Sequence, residues 1–196
     1  LKSFDNLETQ IYLVRHAHSI YSADELNRPL SSSGEEAALQ AADLLKDKQI
    51  TTIISSPYKR AVQTVEPLAV RNGLAIHIEE GFRERLLSDE HLEDFNHAIT
   101  KVWEEESFSW PGGESNLAAQ QRGVQALEKI LQEHQGHKIA IGTHGNIMVL
   151  IMNALNSKYG FEFWKQLNMP DIYKLSFNGF ALHHVERIWK SSDRGE

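Results

Sequence analysis

The sequence predicts an α/β fold: a three-layer α/β/α sandwich around a mostly parallel sheet, with an antiparallel hairpin at its C-terminal edge. Three observations predict it. Short apolar runs alternate with amphipathic helical stretches along most of the chain, the pattern of strand–helix units that build parallel sheets. The last apolar stretch is broken by Asn178-Gly179, a strong short-range hairpin signal. The 196 residues, 41% of them apolar and 24% charged, suit one domain large enough to bury roughly 70% of its unfolded surface. No internal repeat or linker divides the sequence, so residues 1–196 are read as a single domain. Within it, residues from about 81 to 115 form a helical and loop insertion, a candidate lid.

Each element has its own signal. Ile11 to Val14 is a continuous apolar run, a buried strand. "SSSGEEAALQAADLLKDK" carries serine cap candidates, Glu35 and Glu36 in the first turn, and apolar residues at helical spacing. "ITTIISSP" is a second strand that stops before Pro57. A helix from about Lys59 to Arg71 comes next, closed by Gly73, then a short strand "LAIHI". Asp89 to Glu106 reads as an acidic helix carrying Trp103, "PGGES" as a turn beside Trp110, and Asn116 to His134 as another helix. "KIAIGTHG" is a buried strand ending at His144, and "NIMVLIMNAL" is an apolar helix. Last, "IYKLSFNGFALHHV" reads as two strands joined by Asn178-Gly179, with His183 and His184 on exposed or half-buried faces.

Composition removes several classes of function. With no cysteine, disulfide frameworks, zinc–thiolate sites and cysteine nucleophiles are excluded. No run approaches the roughly 18 apolar residues of a membrane span, and "LKSFDNLETQ" lacks the apolar stretch of a secretion signal. Neither a membrane nor an export route is expected, and a cytoplasmic location fits. The first residue is Leu1 rather than Met, as in a trimmed chain. A net charge of -7 argues against a general nucleic-acid binder. The oligomeric state has no signature in the sequence.

The chemistry gathers where strands end, because parallel α/β sheets place ligands beyond their carboxyl edges. "IYLVRHAHS" ends its strand in Arg15-His16-Ala17-His18 and opens a choice between metal and phosphate. His16 and His18, two apart on an extended segment, point to the same side, as metal ligands would. A metal hydrolase would need further histidine and aspartate ligands at later strand ends. The chain offers His144 without a matching aspartate, and nearby arginines would repel a cation. The phosphate branch is better furnished. Arg15 and Arg60 can each hold phosphate oxygens through paired hydrogen bonds. A neutral His16 can attack phosphorus and form a phosphohistidine. Glu84 can protonate the leaving oxygen and then activate water, with Glu80 and Glu90 as alternatives. His144, if protonated, would stabilise charge on the equatorial oxygens. Taken singly, Arg60 reads as a helix-surface charge and Glu84 as one solvated charge among Glu79, Glu80, Arg83 and Arg85. No metal and no cofactor is required.

These motifs, in this order, resemble the histidine phosphatase superfamily, also called phosphoglycerate-mutase-like, over nearly the whole chain. The family's Leu-Val-Arg-His-Gly stands here as "LVRHA", Leu13 to Ala17. Its Ser-Ser-Pro-x-x-Arg-Ala-x-Gln-Thr run matches Ser55 to Thr64, its acidic loop matches "FRE" with Glu84, and its Thr-His-Gly matches Thr143 to Gly145. "PLSSSGEEAA" and "PGGES" are similar to its first helix entry and its Gly-Glu-Ser turn. Three departures surround the nucleophile: Ala17 replaces glycine, His18 the usual acidic residue, and Ser22 an asparagine. The Gly-x-x-x-Gly pattern that often comes after the acid is missing beyond Glu84. With Arg15, Arg60 and His144, the resemblance makes Ala17, His18 and Ser22 candidate phosphate or substrate contacts. It implies a metal-independent hydrolase of small phosphate monoesters, working through phospho-His16. The alternatives are a cofactor-dependent phosphoglycerate mutase and a weakly catalytic phospholigand-binding regulatory domain. Hydrolysis is preferred because a short chain has less lid to exclude water.

Overall fold

Strand β1, Glu8–Arg15, is the axis of the sheet, since it is paired on both sides. In a computed structural model describing residues 7–190, it lies parallel to β4, Lys138–Thr143, and antiparallel to β5, Asp171–Asn178. Pairing on both sides extends β1 beyond the apolar core at Ile11 to Val14, because ladder bonds hold polar residues at either end. The full order is β3-β2-β4-β1-β5-β6, with β2 at Thr52–Ser55, β3 at Ile76–Ile78 and β6 at Ala181–Arg187. Strands β1 to β4 run parallel, β5 runs antiparallel to them, and β6 is paired antiparallel to β5.

Alternation along the strands feeds two cores. Ile11 and Leu13 of β1, Ile139 and Ile141 of β4, and Leu175 and Phe177 of β5 face α4, Asn116–Glu133, and α5, Gly145–Leu155. Tyr12, Val14, Ile53, Ala140 and Ile172 face the other way, towards α1, Ser32–Leu45, and α2, Lys59–Asn72. Ile147 to Met152 of α5 are all buried, which explains why that helix is apolar on every side. Each such side chain contributes about 1.5–3 kcal/mol through burial. Ser31 caps α1 by accepting from the Gly34 amide at 3.1 Å, and Gly73 ends α2 in the left-handed conformation, φ 63°.

Several boundaries differ from the sequence reading. The acidic helix expected over Asp89 to Glu106 is only α3, Phe95–Glu104, because Asp94 caps it by accepting from the His97 amide. Asp89 is held instead in a loop, its amide bonded to the Pro111 carbonyl at 3.2 Å. The hairpin turn is Gly179-Phe180, one position later than expected. Asn178 still pairs with Ala181, and Gly179 takes the positive φ of 59° that a two-residue turn needs at its first position. A short helix α6, Phe161–Lys165, had no sequence signal. Trp103 packs against the α4/α5 core, stacked on Phe161, and Trp110 donates to the Ala98 carbonyl. His183 and His184 are exposed. The first six residues, part of the segment read for an export signal, lie outside the described residues.

From β1 the chain turns towards β2 and β3, and from β4 it turns the opposite way to β5. Their carboxyl ends therefore flank a topological switch point, where a crevice opens between diverging connections.

Candidate active site

The β1–β4 register pairs Arg15 with Thr143, so the residues that leave these strands, His16 and His144, start side by side. The His16 amide bonds to the Thr143 carbonyl at 2.9 Å, and the Ser56 amide beyond β2 bonds to the Gly142 carbonyl at 2.8 Å. The imidazole centroids of His16 and His144 are 5.2 Å apart.

Hydrogen bonds orient both rings and set the tautomer of His16. His16 Nδ1 lies 2.7 Å from the Ala17 carbonyl oxygen, which can only accept. The proton is therefore on Nδ1, and the Nε2 lone pair is free to attack. Ser56 Oγ accepts from the Tyr58 amide at 3.2 Å and lies 2.7 Å from His144 Nε2. That bond orients the His144 ring, and the hydroxyl, with one proton and two lone pairs, can serve it as donor or as acceptor.

Burial lowers the pKa of His16 from 6.5 to about 3, opposed by the Ala17 hydrogen bond and reinforced by Arg60, Arg15 and Arg28. His144 is fully buried, and burial, His16 and the arginines push it well below its usual value. Both rings are neutral at pH 7 in the unliganded site, so a protonated His144 requires an arriving dianion to reverse the local charge.

Arg15 donates to the Asn168 carbonyl at 3.1 Å, while Arg60 donates to the Glu25 carbonyl at 2.9 Å and faces its carboxylate at 3.3 Å. Gly145 lets Arg15 lie against the start of α5: a Cβ there would stand 2.9 Å from the guanidinium carbon. Arg15 Nε, Arg60 Nε and His144 Nδ1 are buried and have no hydrogen-bond partner among the described residues. Each unmet polar atom costs about 1–3 kcal/mol. The two arginine nitrogens are donors suited to the acceptor oxygens of an anion.

Glu84 sits at the first turn of α5. Its carboxylate accepts from the amides of Asn146 at 3.1 Å, Ile147 at 3.0 Å and Arg85 at 2.8 Å. Its charge acts on Arg15 and Arg60. Glu80 and Glu90 are exposed and neither makes such a contact with the site. Arg122 of α4 fixes the loop before Glu84, donating to the carbonyls of Gly81 at 2.8 Å and Arg83 at 3.0 Å while gripping Glu114 with two further bonds.

The residues around His16 separate into different tasks. β1 ends at Arg15, so the two-residue alternation expected of His16 and His18 does not extend to them. His18 is exposed, with Nδ1 2.7 Å from the α1 cap Ser31. Ala17 is buried against Leu30 and Ala38, and its backbone needs no positive φ. Its amide donates to Thr64 Oγ1 at 3.0 Å. Ser22 Oγ accepts from the Asp24 amide at 3.2 Å, inside a local turn. Among the described residues, no group of three or more His, Asp or Glu side chains is placed to hold a metal ion.

The profile of the histidine phosphatase superfamily (branch 1) matches residues 11–186. The chain belongs to that superfamily. A relative from Escherichia fergusonii named "Probable phosphoglycerate mutase GpmB" is 33% identical over 164 residues, 74% of each protein. "Phosphoglycerate mutase-like protein 4" of Arabidopsis thaliana is 30% identical over 156 residues, 71% of this chain and 67% of that protein. Among solved structures, a mycobacterial glucosyl-3-phosphoglycerate phosphatase superposes with a TM-score of 0.75 at 22% identity, covering 92% of this chain and 97% of that one. YhfR of Bacillus stearothermophilus gives 0.75 at 21%, covering 89% and 94%. At those identities the structural likeness is one of fold.

Several residues that support the site of this superfamily member carried no signal that the sequence reading used. Arg28 lies close enough to lower the pKa of His16, and is itself held by Ser19 Oγ at 2.9 Å and Glu25 at 3.1 Å. Buried Asp171 receives Arg187 at 3.0 and 3.1 Å and the Asn168 amide at 2.8 Å, fixing the carbonyl to which Arg15 is bonded.

The depressed histidines make acid stability a test of this geometry. Between pH 6.5 and about 3, the unfolded chain binds a proton at His16 that the folded protein excludes. Stability therefore falls as pH drops, by about 1.4 kcal/mol per pH unit once the unfolded histidine is fully charged. His144 acts in the same direction. Denaturant midpoints at pH 7 and pH 5 should show a smaller acid loss in His16→Gln than in the unaltered protein. Equal slopes would mean that His16 is not held neutral.

Proposed function

We propose that this superfamily member is a phosphate-monoester hydrolase that works through a phosphohistidine on His16. The observation that carries the reading is the pair of buried, unpartnered donors on Arg15 and Arg60 beside a histidine whose Nε2 is unprotonated, with the His144 ring centred 5.2 Å from it. The phosphorus is attacked by Nε2, the P–O bond to the leaving alcohol breaks, and the proton for that oxygen comes from Glu84, whose carboxylate takes one from solvent before the first turnover and from the attacking water in each later one. Positive charge grows on the ring, and the Nδ1–H bond to the Ala17 carbonyl strengthens with it. Water then attacks phosphorus, Glu84 takes its proton, the P–N bond breaks and His16 is restored. The arginines hold the oxygens throughout, and the chemistry calls on no metal or organic cofactor. Arg122, Asn116 and Arg85 support the loop of Glu84, within the segment 81–115 that we assign to recognition of the leaving group.

The names of the relatives favour a second reading, phosphoryl transfer between positions of a phosphoglycerate. Incubating 3-phosphoglycerate with and without a bisphosphate primer separates the two. Hydrolysis predicts inorganic phosphate as the product and no response to primer. Isomerised phosphoglycerate that appears only with primer would establish the mutase reading instead.

A further inference from the structure

The carboxylate of Glu25 lies between two arginines. Its Oε1 accepts from Arg28 Nη1 at 3.1 Å, and its Oε2 faces Arg60 Nη1 at 3.3 Å. Further bonds hold this bridge in place. Arg60 also donates to the backbone carbonyl of Glu25 at 2.9 Å, and Arg28 Nε is held by Ser19 Oγ at 2.9 Å. The loop that carries Glu25 is closed at its base, where Ser19 and Leu30 pair, and is tied to α2 where the Lys59 amide bonds to the Leu26 carbonyl at 2.9 Å.

Anchorage alone does not require a carboxylate here. The main-chain carbonyl already secures Arg60, and any residue at position 25 would supply it. What the side chain adds is a negative charge, half in solvent, beside a guanidinium withdrawn from it: the side chain of Glu25 is 50% exposed and that of Arg60 is 6% exposed. Burial lowers the pKa of Arg60, and Glu25 is the charge that opposes this most. The charges of Arg60 and Arg28 both act on His16. Glu25 therefore offsets the same positive charge that a phosphoryl group would use, and it repels a dianion that approaches Arg60.

We infer that Glu25 is an internal counter-anion, competing with the phosphoryl group for the charge of Arg60 and Arg28 and so weakening the hold of the site on phosphate. This rests on the phosphohistidine hydrolase reading of the same site, in which Arg60 binds phosphoryl oxygens, and the test separates the two. In a hydrolase the competition has a use. Inorganic phosphate, the product, meets the same donors as the ester and must leave before the next turnover. A resident carboxylate lowers the affinity for both together, so the gain in release costs no selectivity between them.

Calorimetric titration with inorganic phosphate and the kinetics of 4-nitrophenyl phosphate hydrolysis test this in the whole protein. Glu25→Gln keeps the main-chain carbonyl and the side-chain length and removes the charge. Phosphate should bind about fivefold tighter, a modest factor because solvent screens a half-exposed carboxylate. KM should fall with it, and kcat should drop by no more than the same factor. Arg28→Gln breaks the same bridge while keeping the carboxylate, and should not tighten binding. Glu128→Gln, exposed on α4, should leave the affinity unchanged. Unaltered or weaker phosphate binding in Glu25→Gln overturns the inference and leaves the hydrolase reading standing. So does equal tightening in Arg28→Gln, which would trace the effect to a loosened loop, or a loss of kcat in Glu25→Gln of about a hundredfold, the mark of a proton donor. No phosphate binding and no ester turnover in the unaltered protein overturns the hydrolase reading, and this inference with it.

Discussion

His16→Asn is expected to lower turnover of every phosphate ester by at least about 10⁴-fold, the scale on which removal of a covalent nucleophile acts. Asparagine can keep a polar contact to the Ala17 carbonyl but has no unprotonated ring nitrogen at the Nε2 position. The loop should therefore stay folded while the nucleophile is lost. Arg15, Arg60 and His144 remain, so inorganic phosphate or vanadate should bind within about tenfold of the unaltered affinity, since it is held mainly by those donors. Two measurements decide. In the unaltered protein, brief exposure to ester and then a base quench should leave an acid-labile phosphoryl adduct on the peptide containing His16, detected by mass spectrometry. In His16→Asn that adduct should be absent. Turnover within tenfold of the unaltered protein, or an adduct on another residue, would remove His16 from the nucleophile's role.

The parts of this molecule that were legible in sequence are those where one physical cause acts locally. β1 and β4 are covered on both faces, so they read as unbroken apolar runs, and the residues at their carboxyl ends, Arg15-His16 and Thr143-His144, read as a rim. Arg60 was visible because its motif sits at a strand-to-helix turn. Legibility failed where a second element decides. His18 appeared paired with His16 only while the strand was assumed to continue past Arg15. The cap of α1, thirteen residues away, holds it instead. Ala17 was suspect as a replacement for glycine, yet its methyl has room against Leu30 and Ala38, both remote in sequence. Ser56, Arg122 and Asp171 support the site through bonds spanning up to 88 residues, a dependence that no local pattern encodes. The hairpin shifted by one residue because Asn-Gly can place glycine at either turn position, and the β5–β6 register chose the first.

Glu84→Gln tests the proton-transfer half of the mechanism and should affect two observables in different ways. Both carboxylate oxygens accept backbone amides: one from Ile147 and Arg85, the other from Asn146. Glutamine supplies one acceptor and places an NH₂ opposite the remaining amide, a donor against a donor. The first turn of α5 should lose about 1 kcal/mol of stability, as when a helix cap is removed. Turnover of alkyl phosphates should fall by about two to four orders of magnitude, because the leaving alkoxide no longer receives a proton and water is no longer activated. With 4-nitrophenyl phosphate the leaving group needs little protonation, so the first step should be largely rescued and the second should not. The variant should release a burst of nitrophenolate comparable to the enzyme concentration, then turn over slowly while phospho-His16 accumulates. A structural lesion alone would slow both esters alike and give no burst. Near-normal turnover of alkyl phosphates would transfer the role to Glu80 or Glu90. Either would have to leave its exposed position to reach the leaving oxygen, whereas Glu84 is already held against the first turn of α5, one residue from His144.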